Sequence, residues 1–271
     1  MIKNIAYYPS QCAQNAPPVL DAFLQGCASH GIATVANSWD ADAAVIWSVL
    51  WNGRMQANRR VYQHYRAQGK PVICIDIGAL KRGITWKVAV NNINADGYYG
   101  HCENLDFDRP RKLQVAMQQP KLIKPAILIA AQHPLSLQVE NIDQSQWFAK
   151  VLTELNTDLP VVLRPHPRGR IDYQCIAGKV SVQHGRPLPK TYDSFDIDYA
   201  YQLVINYNSG AGVQAALLGA NVLVDKSSLA YTVSKGMDKT QWLVEICHTE
   251  YTLHEIAAAT WLKRIGHRLE L

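Results

Sequence analysis

The sequence lacks a long apolar segment. No run of about 18 apolar residues occurs in its 271 residues, so we expect no transmembrane helix. The stretch from Met1 to Pro9 is typical of a strand and not of a signal peptide, which predicts a cytoplasmic protein. Apolar residues make up 48% of the chain and charged residues 18%, as in a globular protein with a substantial core.

Spacings typical of metal or disulfide frameworks are also missing. None of the six cysteines, at positions 12, 27, 74, 102, 175 and 247, forms a Cys-x-x-Cys pair, and the histidines are scattered. We therefore predict free thiols in a reducing compartment and no zinc site. In the carboxyl half an Asp-x-Asp spacing occurs at Asp196 and Asp198, but it precedes a predicted strand, whereas ligands bind beyond strand ends, so no metal is expected.

The chain has no strong excess of either charge. Its net charge is +5 and its pI is near 8.8. This mild basicity permits an anionic partner, such as nucleic acid, an acidic glycan or a membrane surface, without requiring one. Much of the positive charge lies in the segments Arg164 to Arg170 and Lys263 to Arg268.

Strand-like and helix-like segments alternate in the amino half. Apolar strands are predicted at Ile2 to Tyr8, Ala43 to Val49 and Pro71 to Asp76, and helices at Pro18 to His30 and Met55 to Gln68. A β–α–β alternation predicts a parallel sheet with helices on both faces.

A charged, proline-containing stretch from Glu103 to Pro125 interrupts this alternation, and a second β–α–β series follows it. We predict two domains, residues 1–118 and residues 119–271, the second ending in a helix from Thr252 to Arg268. The predicted fold class is α/β, with two Rossmann-like domains that face a cleft.

Two polar loops of the second domain are the main candidates for a binding site. The first follows the strand Leu159 to Leu163 and carries Arg164, His166 and Arg168 between two prolines, which stiffen it. Guanidinium and imidazole groups on a rigid loop suit a nucleotide phosphate. A solvated basic loop is the alternative interpretation.

The second loop follows the strand Leu203 to Asn206 and contains Asn208, Ser209 and Gly210. Ser209 is predicted to cap a helix of roughly residues 211–218, whose dipole favours an anion at its start. Gly210 lets a ligand approach the backbone closely. An ordinary strand, cap and helix would have the same pattern.

Together these segments resemble the capsular-polysaccharide glycosyltransferases, including the Kdo transferases with a His-Pro motif. The matching pieces are Ile127 to Gln132, Arg164 to Pro167 and Ser209 to Gly219, within about residues 125–232. The resemblance implies that His166 and the Ser209 loop contact the nucleotide phosphate, with Gln132 assisting. Gln214 stands where this family often has a carboxylate, a departure that affects how a ribose is held.

The resemblance implies a nucleotide-sugar-dependent glycosyltransferase, and the two predicted domains agree with the GT-B-like architecture of such enzymes. Because the cationic loop can replace a metal ion, we expect the enzyme to be metal-independent. The donor would be CMP- or UDP-linked, with no further cofactor, and the resemblance suggests a surface glycan as the acceptor. The basic charge balance and the Arg-, Trp- and Tyr-rich amino half also allow a hydroxymethylated DNA base of phage type. The alternatives are a non-catalytic nucleotide- or sugar-binding protein and a nucleotide-sugar epimerase. An epimerase needs carboxylates in its donor cleft, and these cationic loops are nearly free of them.

Asp76 and His166 are the candidate catalytic residues. Asp76 falls at the end of a predicted strand in the amino half, where a base for an acceptor hydroxyl would be placed. Asp40 or Asp42 are substitutes for that role. The alternative interpretation is that Asp76 caps the following turn and pairs with Lys81 or Arg82.

Overall fold

A computed structural model describes residues 2–101, 103, 105–119, 123–190 and 194–270 of the chain. The strands within these ranges are β1 (Asn4–Tyr7), β2 (Ala33–Ala36), β3 (Ala43–Trp47), β4 (Val72–Ile77), β5 (Thr85–Val90), β6 (Lys124–Ala130), β7 (Val161–Arg164), β8 (Ser181–Val182), β9 (Arg186–Pro187), β10 (Phe195–Asp196), β11 (Tyr201–Asn206), β12 (Asn221–Val224) and β13 (Glu250–Thr252).

The α-helices in the same ranges are α1 (Pro17–Ser29), α2 (Asn58–Ala67), α3 (Arg109–Lys112), α4 (Gln144–Leu155), α5 (Gly210–Leu217), α6 (Tyr231–Ser234), α7 (Lys239–Cys247), α8 (Leu253–Ala257) and α9 (Leu262–Ile265). Short 3-10 helices cover Pro9–Gln11, Gly53–Ala57, Leu137–Val139, Gln174–Lys179 and Gly266–Leu269. Within the described part of the chain, no helix is long and apolar enough to cross a membrane.

The chain forms two compact units. The first comprises Met1–Val115 and Val244–Leu271, and the second comprises Ala116–Leu243. The sequence analysis assigned residues 244–271 to the second domain, whereas the structure joins them to the first unit. The reason is that β13 pairs with β5, and α8 packs against α1.

The C-terminal segment also differs from the single helix predicted for Thr252 to Arg268. It consists of α8, α9 and a 3-10 helix. Ala259 has a φ of 51°, a left-handed conformation that ends α8, and the backbone N–H of Thr260 bonds the carbonyl of Glu255 at 2.9 Å.

The sheet of the first unit has the strand order β13-β5-β4-β3-β1-β2. Strands β1 to β4 are parallel, as predicted, but β5 is antiparallel to β4 and β13 is antiparallel to β5. The prediction of a wholly parallel sheet is therefore wrong at this side. Only residues 78–84 connect β4 to β5, and so short a connection cannot make the crossover that a parallel pair needs.

Helix α1 illustrates how local sequence sets an element of this unit. Pro17 stands at its first turn, where a missing N–H costs nothing, and Gly31 follows it with a φ of 71°. Val19, Phe23 and Cys27 recur at helical spacing and are fully buried against the sheet.

The sheet of the second unit has the order β12-β11-β6-β7-β8, and all its pairings are parallel. Alternate residues of β6 point to opposite faces: Ile129 packs in a cluster with Phe148 of α4, and Leu128 packs in a cluster with Ala215 of α5. This is a Rossmann-like unit with helices on both faces.

The five described cysteines, Cys12, Cys27, Cys74, Cys175 and Cys247, are free, as expected from their spacing. Cys102 lies outside the described residues. Burial raises the pKa of Cys12 to about 11 and that of Cys27 to about 12.

Candidate functional site

The polar residues predicted for the second unit gather at one edge of its sheet. Strands β11, β6 and β7 are neighbours in register, with Ile129 opposite both Ile205 and Leu163. Because the three strands are parallel, the segments that follow them emerge at the same edge, where ligands of open α/β sheets bind. Those segments begin at Ala131, Pro165 and Tyr207.

Gln132 and Asn208 form a reciprocal pair at this edge. The Gln132 Nε2 atom donates to Asn208 Oδ1 at 2.9 Å, and the backbone N–H of Asn208 donates to Gln132 Oε1 at 3.1 Å. Both side chains are buried. The pair ties the loop after β6 to the loop after β11, although the two residues are 76 positions apart in sequence.

Neighbouring side chains fix both members of this pair. The amide of Gln144, the first residue of α4, bonds the backbone N–H and carbonyl of Gln132, each at 3.0 Å. The Asn208 Nδ2 atom donates to Ser227 Oγ at 2.9 Å, and Ser227 Oγ donates to Asp225 Oδ1 at 2.6 Å. Gln144 and Ser227 escaped the sequence analysis because no local pattern marks them.

Ser209 caps α5, as the sequence predicted, and the helix begins at Gly210 rather than at residue 211. Its Oγ accepts the N–H of Ala211 at 3.4 Å and a hydrogen bond from Asn206 Nδ2 at 2.9 Å. The same Nδ2 also donates to the carbonyl of Ala130 at 2.7 Å. Asn206, which is fully buried, thus fixes the start of α5 against the end of β6.

The His-Pro loop packs against a second histidine. The rings of His166 and His133 meet edge to face with centroids 5.1 Å apart. Each histidine Nδ1 accepts a backbone N–H at 3.1 Å, from Arg168 and Leu135 respectively. In the neutral imidazole the proton is therefore on Nε2 in both residues.

Burial lowers the pKa of His133, although a hydrogen bond to the Arg168 backbone acts in the opposite direction. Gly169 permits the close approach of this loop, because a Cβ there would lie 2.9 Å from both His133 Cδ2 and Pro134 Cδ. His133 was not among the site residues predicted from the sequence.

Arg164 is the last residue of β7 and is 5% exposed. Its guanidinium lies over the Tyr199 ring, 5.6 Å from the centroid. Among the described residues its Nη1 atom has no hydrogen-bond partner, so this buried cation retains donor capacity.

The other predicted residues of the second unit are less enclosed. Arg168 is exposed in the His-Pro loop, and Gln214 is partly exposed on the second turn of α5. The structure therefore places Gln132, Asn208 and Ser209 at one edge of the sheet, where Gln132 bonds Asn208 and a separate set of bonds through Asn206 holds Ser209. Arg168 and Gln214 belong to neither of these two sets.

Asp76 lies in the first unit, one residue before the end of β4. Its Oδ2 accepts a hydrogen bond from Ser48 Oγ at 3.0 Å, and its Oδ1 accepts the N–H of Ile77 at 2.7 Å. Burial raises the pKa of its carboxyl, while the Ile77 N–H and the charge of Lys87 act against that rise. Ser48 has a φ of 62°, which places a strained residue beside the carboxylate.

The two substitute carboxylates are placed differently. Asp42 accepts the N–H groups of Lys3 and Asn4, at 2.8 and 3.1 Å, and so lies at the amino end of β1, opposite the edge where Asp76 lies. Asp40 is exposed, with its Oδ1 3.9 Å from Lys70 Nζ. The structure therefore favours neither of them as a base.

Solved structures resemble this chain over nearly its whole length. A KpsC β-Kdo 2,7-transferase from Thermosulfurimonas dismutans aligns with a TM-score of 0.51 and 12% identity, over 96% of this chain and 100% of the other. A KpsC β-Kdo 2,4-transferase from the same organism aligns with a TM-score of 0.51 and 11% identity, over 96% and 98% of the two chains.

A UDP-GlcNAc 2-epimerase from Methanocaldococcus jannaschii is a more distant likeness, with a TM-score of 0.33 and 8% identity over 95% of this chain and 97% of that one. No protein-family model and no curated protein sequence matches the chain. At such low identity the KpsC likeness shows the fold alone, and it confirms the predicted class of two Rossmann-like α/β units.

Proposed function

We propose that this protein is a glycosyltransferase that moves a sugar from a nucleotide-sugar donor to an acceptor hydroxyl. The observation that carries the proposal is the polar edge of the second unit, where Gln132 bonds Asn208, Asn206 holds the Ser209 cap, and Arg164 keeps an unpaired buried donor. The likeness in fold to the KpsC Kdo transferases supports it.

The donor nucleotide phosphate is proposed to bind at the starts of the His-Pro loop and of α5. Arg164 supplies a buried positive charge, and His166 supplies its Nε2–H, because its Nδ1 is already occupied by the Arg168 backbone. The first N–H groups of α5 favour an anion at its start. These donors fit a nucleoside monophosphate or diphosphate, so a CMP- or UDP-linked sugar is the proposed donor class.

In the proposed reaction, the acceptor oxygen forms a bond to the anomeric carbon while the bond between that carbon and the phosphate oxygen breaks. The electron pair of the broken bond stays on the nucleotide. Arg164 and His166 stabilise this charge as it develops. Asp76 is proposed to take the acceptor proton, and the burial that raises its carboxyl pKa makes it a stronger base.

The acceptor is proposed to be a surface glycan, following the KpsC likeness, with a hydroxymethylated DNA base as the second candidate. These acceptors differ in how transfer depends on salt. Transfer to DNA would fall steeply as salt rises, because phosphate contacts release counterions, whereas transfer to an uncharged glycan would change little.

The proposal is tested by thermal shift with CMP, UDP and their sugar conjugates. At a ligand concentration of about 100 times Kd, binding adds about 2.7 kcal/mol, which raises Tm by about 5 °C for a chain of this size. We expect the shift with one nucleotide series, and we expect His166→Ala to reduce or abolish it.

His184→Ala is the matched control, because His184 is an exposed histidine of the same unit and its loss is expected to leave the shift unchanged. If no nucleotide shifts the wild-type Tm, the transferase proposal is wrong. If His166→Ala and His184→Ala behave alike, the assignment of the phosphate site to the His-Pro loop is wrong.

A further inference from the structure

A row of charged side chains crosses the sheet of the first unit. Asp76 of β4 lies opposite Lys87 of β5, and Lys87 lies opposite Glu250 of β13. Both pairings are antiparallel, and directly opposed residues of antiparallel strands point to the same face of a sheet. Lys87 is therefore flanked on one face by two carboxylates.

The row is buried at its centre. Lys87 is 4% exposed and Glu250 is 0% exposed. A buried ammonium is stable only when opposite charges and acceptors surround it. Here the Lys87 Nζ atom donates to the carbonyl of Ile93 at 3.4 Å, and the charges of Glu250 and Asp76 act against the lowering of its pKa by burial.

Glu250 is held rigidly by the connection between β4 and β5. Its carboxylate accepts the N–H of Ala79 at 2.6 Å, the N–H of Leu80 at 3.1 Å and the hydroxyl of Thr85 at 2.7 Å. Gly78 closes tightly over it, since a Cβ there would lie 2.2 Å from Glu250 Oε2. The segment that follows Asp76 is thus fastened to a carboxylate that arrives from the C-terminal part of the chain.

We propose that Lys87 is a positioning residue for Asp76: its ammonium, on the face of the sheet that Lys87 shares with Glu250 and Asp76, keeps the Asp76 carboxyl ionised at the end of β4. The inference rests on the proposed function, in which Asp76 is the base. A carboxyl that lost its proton only well above neutral pH could not accept one from an acceptor hydroxyl at neutral pH.

Other charged and titratable groups also face this row, and the test takes account of them. They are Arg82, Cys74 and Tyr99 around Asp76, and Tyr99 and Cys247 around Glu250. Burial raises the pKa values of the two thiols and of the tyrosine, so these three stay neutral near pH 7. Arg82 is exposed, so solvent and salt weaken the effect of its charge on Asp76.

The test is the pH titration of the Asp76 carboxyl carbon by NMR in the full-length protein, with its signal identified by its absence in Asp76→Asn. Lys87→Met removes the ammonium with little change in side-chain length. We expect the midpoint to rise by at least about one pH unit, a tenfold fall in the acid dissociation constant. Lys87→Arg is expected to restore the wild-type midpoint.

A second variant keeps the test decisive if Lys87→Met fails to fold. Glu250→Gln removes the competing carboxylate but keeps its shape, so Lys87 acts on Asp76 alone and the midpoint is expected to fall. Lys263→Met, at an exposed lysine of the same unit, is expected to leave the midpoint unchanged.

Opposite shifts from the two neutralising substitutions are the signature of charge coupling, which a loss of packing would not produce. Unchanged midpoints, or shifts in the same direction, would overturn the proposal. The titration uses neither nucleotide nor acceptor, so its outcome is independent of the thermal-shift test of the proposed function.

Discussion

The pair formed by Gln132 and Asn208 gives the sharpest quantitative prediction about the candidate site. Gln132→Leu keeps the side-chain volume but removes the hydrogen bonds of 2.9 and 3.1 Å that join the two residues. Asn208 is 3% exposed, so its Oδ1 atom and its backbone N–H would both stay buried without those partners.

Each buried polar group left unpaired costs about 1–3 kcal/mol. Two such groups, with some relaxation of the loops, are expected to lower the free energy of unfolding by about 2–4 kcal/mol. Urea unfolding followed by circular dichroism and tryptophan fluorescence measures this change. The nucleotide affinity is expected to fall as well, because the loops that carry Ser209 and His133 lose the contact that joins them.

Gln202→Leu is the matched control. Gln202 is an exposed residue of β11 in the same unit, and the same chemical change there is expected to alter stability by no more than about 0.5 kcal/mol. If Gln132→Leu costs no more than Gln202→Leu, the reciprocal pair does not hold the two loops together, and the account of this site fails.

Two further predictions concern packing and pH. Gly78→Ala is expected to lower the free energy of unfolding by about 1–3 kcal/mol, because the new Cβ would lie 2.2 Å from Glu250 Oε2. Gly178→Ala is the control: no atom lies within 4 Å of its new Cβ, so the free energy of unfolding is expected to change little. Equal urea midpoints for the two variants would contradict this prediction. Because burial lowers the pKa of His133, its contribution to stability is present above its unfolded pKa of about 6.5 and is lost as pH falls through the lower folded value. Wild type is therefore expected to lose more unfolding free energy than His133→Gln between about pH 7.5 and pH 5, and equal losses would refute the role of His133.

The elements that the sequence predicted well are those specified by neighbouring residues. Pro17 and Gly31 delimit α1, and the serine that precedes a glycine-rich turn caps α5. In each case the signal and the structure it specifies lie within a few residues, so hydrogen bonding and backbone sterics suffice to place the element.

The contacts that build the candidate site were not predictable in the same way. Gln132 and Asn208 are 76 positions apart, and nothing in the sequence around the glutamine indicates that it pairs with this asparagine. Parallel topology predicts that both reach the same edge of the sheet, but which amide meets which depends on the register of β6 and β11. That register is set by packing over the whole sheet.

Contacts between distant residues were even harder to predict in the first unit. Glu250 bonds Ala79 across 171 positions, and β13, which carries it, is a three-residue strand with too little periodicity to be read from sequence. The sequence did contain one indication of this charged row. Lys87 is the single charged residue of β5, a buried strand whose other residues are mostly apolar.

A charge in such a strand must have partners, because burying it alone costs more than a marginally stable domain can bear. That argument predicts carboxylates beside Lys87 without predicting which ones. Asp76 is the carboxylate nearer to Lys87 in sequence. The second carboxylate, Glu250, lies beside Lys87 only because the C-terminal segment belongs to the first unit. The assignment of residues 244–271 to the second domain and the failure to predict Glu250 beside Lys87 therefore have one physical origin, the pairing of β13 with β5.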